Sequence, residues 1–214
     1  MPIKGAVEAK CPNGCQSSEV EVISLVRGDK EPELRDLLKA GELNLIICQD
    51  CGAAFYPEAP VVYMDLKAEL AAFIFPESYK AQEEHWRAKM REDYAQIKTA
   101  LKDPAALGGE PFLFFGYEDI RLILQAEDDM ADEVEIAEFL SKQLGLSCLR
   151  ASRRFARELW LPWTLPCTPG KGYSRERAKE GVEKLLKAND RLESFRKWLD
   201  WLGTHTEEPP LAPR

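Results

Sequence analysis

A chain of 214 residues with 45% hydrophobic and 31% charged residues has the make-up of an ordinary folded protein, long enough for one elaborate domain or two small ones, which excludes wholesale disorder. The formal net charge of −8 argues against broad, phosphate-tracking nucleic-acid binding. The charge is uneven, with 15 Lys+Arg against 28 Asp+Glu in residues 1–149 and 14 against 9 in residues 150–214, so the basic C-terminal segment is expected to dock on the acidic part or on a second subunit.

The opening MPIKGAVEAKCP has no apolar run long enough for a signal-peptide core, and no later stretch approaches the roughly 18 uncharged residues of a membrane helix. A cytoplasmic location without a membrane role is the expectation. In that reducing compartment six cysteines favour metal ligation or free thiols over a disulfide framework.

Along the chain, Glu19 to Val26 alternates Val20 and Val22 with Glu19 and Glu21, the period of a half-buried strand. A short helix follows, with Asp29 as cap, Pro32 in an early position, Leu34, Leu37 and Leu38 as its apolar stripe and Gly41 at its end. Glu42 to Ile47 reads as a strand running into Cys48, and Gly52 to Tyr56 as another, stopped by Pro57 and Pro60. Val61 to Leu66 and Ala71 to Phe75 are predicted to form a hairpin turning around Lys67 to Glu69.

From Glu77 to about Leu101, Trp86, Met90, Tyr94, Ile97 and Leu101 keep the spacing of an amphipathic helix. Asp103-Pro104 and Gly108-Gly109 mark a loop before the strand candidate Pro111 to Phe115. Tyr117 to Gln125 is predicted as a helix, broken by an acidic stretch at Ala126 to Met130, with Asp132 capping a second helix through Leu144. Arg150, Arg153, Arg154 and Arg157 then share a segment with Trp160 and Trp163. A Pro/Gly linker from Pro162 to Gly172 precedes one last helix, capped by Ser174, with Val182, Leu185, Leu192, Phe195 and Leu202 inward and Gly203 at its end. The tail from Thr204 holds three prolines and is expected to fray.

The strongest chemical signal is the pair of cysteine couples, Cys11-x3-Cys15 and Cys48-x2-Cys51, with 32 residues between them. That interval accommodates a strand, a short helix and a returning strand, so both couples can converge on one ion. Zinc takes four thiolates in a tetrahedron at about 2.3 Å, and such closed sites are structural because no position remains for water or substrate. Gly14 and Gly52 can turn the chain so that backbone N–H groups point at sulfur, and Lys10 lies beside the first cysteine. The competing readings are a metal-free ribbon with buried thiols, a redox dithiol, or another metal.

The run ELRDLLKAGELNLIICQDCGAAFYPEAPVVYMD, Glu33 to Asp65, resembles the CpXC family of bacterial and archaeal proteins, which is named for two Cys-Pro-x-Cys knuckles; FFGYEDIRLIL, Phe114 to Leu124, resembles the end of that family's domain. The resemblance covers roughly residues 8–130 and implies a compact zinc-ribbon-like module of unknown biochemical function, with Cys11, Cys15, Cys48 and Cys51 as the ligand positions. The first knuckle here, Cys-Pro-Asn-Gly-Cys, is one residue longer than the pattern, and the second, Cys-Gln-Asp-Cys, carries Gln49 where proline is expected.

Other candidates read as structural. Cys148 and Cys167 are expected to be core thiols, and His85 and His205 have no nucleophile or carboxylate arrangement for acid–base work. Glu127, Asp128, Asp129 and Asp132 lack the spacing of a calcium loop. Trp160, Trp163, Trp198 and Trp201, with the arginines nearby, suit core or interface packing, or stacking on nucleic acid. Neither Gly108-Gly109 nor Gly170-Lys171-Gly172 makes a phosphate loop.

The expectation is therefore an α+β protein: a zinc-ribbon-like domain over residues 1–130 with a small antiparallel sheet and covering helices, a helical C-terminal region at 131–204 packing on it, and a frayed tail at 205–214. Its function reads as that of a cytoplasmic, zinc-binding, protein-binding or scaffold module without catalytic residues. Its partner would be another protein, or a second copy through the Trp/Arg-rich C-terminal region. The alternatives are a nucleic-acid-associated ribbon using residues 150–197, and an enzyme whose site lies between the two halves or across a dimer.

Overall fold

The computed structural model describes residues 3–101, 107 and 109–212; the predicted loop marks Asp103-Pro104 and Gly108 lie outside them. The chain divides into two compact units, Met1–Gln125 and Ala126–Arg214.

The first unit is built on a five-stranded sheet in the order β1-β2-β5-β6-β7. Its strands are β1 (Ile3–Ala9), β2 (Ser18–Arg27), β5 (Val61–Asp65), β6 (Leu70–Phe75) and β7 (Phe112–Phe115). β3 (Ile46–Ile47) and β4 (Ala54–Phe55) form a separate two-stranded hairpin. The fold is α+β as expected, but the main sheet is mixed: β2 pairs with β5, and β6 with β7, in parallel. A parallel return needs a crossover of a dozen residues or more. Helix α1 (Pro32–Ala40) and the β3–β4 hairpin supply the first crossover, and helix α2 (Glu83–Ala100) the second.

β6 is buried at every position, and its two-residue period divides the core into two layers. Leu70, Ala72 and Ile74 face a cluster with Leu38 of α1, Val61, Tyr63, Ile120 and Leu124, whereas Ala71, Phe73 and Phe75 face Met90 and Tyr94 of α2. At the rim of the first layer Tyr63 lies so close to Gly28 that a Cβ there would sit 2.1 Å from the phenol oxygen, so only glycine fits.

Several elements depart from local expectation. β1 has little internal alternation and is mostly exposed; its pairing along β2, from Lys4↔Ile23 to Ala9↔Ser18, makes it a strand. The strands predicted at 42–47 and 52–56 shrink to two residues each, because Leu43 is buried in the core and Asn44 takes a left-handed conformation (φ 58) that ends extended backbone. Asp29, expected to cap α1, instead binds the Arg27 guanidinium at 3.0 Å through both oxygens, and Glu31 holds the N-cap position. Glu77–Gln82 is a 3-10 turn ahead of α2.

The expected break at Ala126 to Met130 does not occur: α3 runs unbroken over Glu118–Gln143. Acidic residues do not interrupt a helix as Gly or Pro do. Glu127 is further held by Arg157 at 2.7 Å and by Arg153.

In the second unit, the region expected to be helical also contains a hairpin of β8 (Ser147–Arg150) and β9 (Thr164–Cys167), with α4 (Arg153–Glu158) between the strands. α4 is capped by Ser152, and it ends in a paired-bond motif: Leu161 N–H donates to Ala156 O, and Trp160 N–H, at φ 55, to Arg157 O. The single last helix is in fact two, α5 (Arg175–Ala188), capped by Ser174 as predicted, and α6 (Arg196–Thr204). Asn189 is extended and a 3-10 turn over Glu193–Phe195 separates them, which lets Leu185, Phe195, Trp198 and Leu202 share one core. The tail expected to fray is tied down: Ser152 N–H donates to Pro210 O, Ala212 N–H to Arg150 O, and Leu211 bridges Ala151.

Candidate metal centre

Both cysteine couples are the connections of hairpins. Ala9↔Ser18 is the last pair of β1–β2, and Cys11 and Cys15 lie in the loop beyond it; Ile47↔Ala54 closes β3–β4, and Cys48 and Cys51 lie in its loop. In the first loop Gly14 N–H donates to Cys11 O at 3.0 Å. In the second, Cys48 N–H donates to Ala53 O at 2.8 Å and Gly52 N–H to Cys48 O at 2.9 Å. Gly14 (φ 77) and Gly52 (φ 73) adopt the left-handed turn that lets each loop double back to its second cysteine.

These turns bring the four sulfurs within 4.8 Å of one another. Thiolates about 2.3 Å from a tetrahedral ion are about 3.8 Å apart, so the cluster has the size of such a ligand set. The Cys11 and Cys51 sulfurs are 3.5 Å apart, far beyond the roughly 2.05 Å of a disulfide, and all six cysteines are free thiols. Among the described residues this is the one group of three or more Cys, His, Asp or Glu side chains that could hold a metal ion.

The electrostatics of the cluster are those of four thiols competing for negative charge. The Ala53 N–H, then the Asn13 carboxamide at 3.4 Å and the Cys11 thiol, bring Cys51 down to about 6. Hydrogen bonds with the Cys51 and Cys11 sulfurs push Cys15 up to about 12. At Cys11 the Asn13 N–H pulls downward, and burial together with the Cys51 and Cys48 sulfurs outweighs it, so the thiol shifts up. Cys51 readily carries charge, whereas Cys11 and Cys15 resist it; a bound cation reverses that resistance. Asn13 and Ala53 are the donors that reach sulfur, whereas Lys10 lines the outer groove with Glu8 and Pro12.

The second knuckle is anchored to the sheet by contacts that periodicity did not reveal. Ile23 N–H donates to the Asn44 carboxamide oxygen at 2.8 Å and the Asn44 Nδ2 donates to Ile23 O at 2.9 Å. Tyr56, just after β4, donates to Gly41 O and packs its ring 4.7 Å from that of Tyr117. The one available signal was asparagine's tolerance of left-handed backbone.

The remaining sequence candidates lie away from the cysteine cluster. His85 is exposed against Trp86, and His205 stacks on Trp201 at 4.7 Å. Cys167 is buried in the second unit, where burial pushes its thiol up to about 11, and Cys148 lies on the paired strand β8. Trp198 and Trp201 are core residues, Trp163 lies under Arg153 at 3.8 Å, and Trp160 is exposed. The acidic residues expected in a loop stand on α3.

A two-knuckle cysteine ribbon on an α+β domain is thus what the fold and the site define. The chain belongs to the CpXC family, whose profile, described as CpXC protein, matches residues 9–139. No curated protein and no solved structure matches it. Among the described residues no helix is long and apolar enough to cross a membrane.

Proposed function

We propose that this protein is a cytoplasmic protein-binding or scaffold module whose ribbon is held by one structural zinc ion on Cys11, Cys15, Cys48 and Cys51. The observation that carries the reading is the four-sulfur cluster, all within 4.8 Å, in the loops of two hairpins. Four thiolates fill a tetrahedral ion, which suits a fastener better than a reaction centre. Free thiols throughout the chain accord with a reducing compartment. The domain organisation we favour is a ribbon-bearing domain to about residue 130 followed by a C-terminal region.

The nucleic-acid reading is weaker, because the basic residues that motivated it are engaged. Arg153 and Arg157 hold Glu127, Arg154 pairs with Glu158 at 2.9 Å, Arg150 with Glu138 at 3.3 Å, and the Trp198 and Trp201 rings are buried. Among the described residues no histidine or carboxylate joins the cysteine cluster, so no specific observation favours the enzyme reading.

Elemental analysis of protein purified without added metal tests the proposal. About one zinc per chain is expected, with loss of zinc and of cooperative unfolding in Cys48→Ser; less than about 0.2 zinc per chain in folded protein rejects the four-thiolate site.

A further inference from the structure

β2 is a ten-residue strand paired along most of one edge and at only one end of the other. β1 pairs along it from Ser18 to Leu25, but on the other side β5 reaches only Leu25, Val26 and Arg27. Ile23 turns its N–H and C=O to that second side, where the Asn44 carboxamide takes both, in the manner of a single residue of a neighbouring strand. By the two-residue period, Glu19 and Glu21 turn their backbone groups the same way. Among the described residues no strand lies beside Ser18–Val22 on that side.

The open edge is one wall of a groove of about 460 Å³. Ser18, Glu19 and Val20 line it from β2, and Ile46, Ile47 and Phe55 supply an apolar wall from the knuckle hairpin, with Ile47 65% exposed. Its charge is negative, from Glu19 and Asp50. Lys4 is committed to Glu21 at 2.6 Å.

We propose that this groove takes an extended segment of a partner protein, lysine- or arginine-bearing and alternating with β-branched residues, which adds as a strand to the Ser18–Val22 edge. Backbone groups of Glu19 and Glu21 hold its main chain, Glu19 and Asp50 its basic side chains, and Ile46, Ile47 and Phe55 its apolar ones. A second copy of this chain is the wrong occupant, since antiparallel self-pairing of SEVEV would set Glu19 and Glu21 of one copy against those of the other. The inference deepens the reading as a binding module and rests on it, because the zinc-held hairpin forms the far wall.

The test uses the full chain and a fluorescein-labelled hexapeptide, Lys-Val-Lys-Thr-Lys-Val, long enough for an edge of five residues at about 3.3 Å each. Saturable binding is expected, weakened at least tenfold by Glu19→Lys and by Asp50→Lys. Alternate N-methylation of the peptide, which keeps its charge but removes strand donors, should abolish binding. Glu19→Pro removes an outward N–H without touching the β1–β2 ladder and should weaken binding at least fivefold. No saturable binding to zinc-replete protein overturns the inference. So does equal binding of the N-methylated peptide, or a free dimer that Glu19→Pro disperses. Zinc content measured on the same sample separates the two proposals: binding to folded, metal-free chain rejects the zinc fastener and keeps the edge, whereas zinc-replete chain that ignores the peptide rejects the edge alone.

Discussion

The carboxamide of Asn44 occupies, beside Ile23, the place a strand would take, with hydrogen bonds of 2.8 and 2.9 Å that join the segment entering the second knuckle to the strand leaving the first. Replacing it by alanine removes these bonds and the one with the Tyr117 hydroxyl, and leaves an alanine at φ 58, a conformation that costs roughly 1–2 kcal/mol without glycine or asparagine. We expect Asn44→Ala to lose about 2–4 kcal/mol in urea unfolding. Asn44→Gly relieves the backbone and should lose less, about 1–3 kcal/mol. Equal stability of the wild type and Asn44→Ala would remove this link from the account of the site.

Gly28→Ala should cost roughly 2–4 kcal/mol, because the new methyl falls 2.1 Å from the Tyr63 oxygen and 2.6 Å from the ring carbon bearing it, in a layer with no room to yield. Tyr63→Phe in the same chain removes the nearer atom and should restore part of the loss, read as a shift of the urea midpoint. A neutral Gly28→Ala would contradict the packing described.

Glu127 lies between Arg153 and Arg157, with side-chain exposure of 10% against 26% and 9%. Glu127→Gln removes the charge that both guanidinium groups share, and about 3 kcal/mol should be lost, most of it from the more buried Arg157 side, since Arg153 is better hydrated and also lies over Trp163. Thermal unfolding followed by tryptophan fluorescence reads this out in the second unit, and an unchanged midpoint would show the pair to be a surface decoration.

Burial pushes the Tyr117 hydroxyl up to about 12 from an ordinary 10.0, against a hydrogen bond with Asn44 that lowers it. A raised tyrosine favours the folded state below pH 10 and loses that contribution as pH rises through 12. Stability should therefore fall across about pH 10–12 by up to roughly 2–3 kcal/mol from this group, with Cys167, pushed up to about 11, adding a fall that begins nearer its ordinary 9.0. Tyr117→Phe should flatten the alkaline limb in urea titrations and leave the neutral region nearly unchanged; an identical limb in both proteins refutes the assignment.

What the amino-acid order determined by itself was whatever is written within one element or one loop. The two cysteine couples, the family pattern around the second, the buried run LAAFIF of β6, the stripe of α2 and the Ser174 cap all depend on neighbours a few positions away, and each appears where its pattern placed it. Tertiary structure alone decided which strands pair and in which sense. Ile3–Ala9 has too weak an alternation to be a strand without β2, and no local signal distinguishes a parallel return through α1 or α2 from an antiparallel one. The break between α5 and α6 and the tethered tail have the same origin. The core that Leu185, Phe195 and Trp198 share, and the bonds of Ser152 with Pro210 and of Ala212 with Arg150, join residues far apart in the chain, so the energy that selects them is absent until the core has assembled.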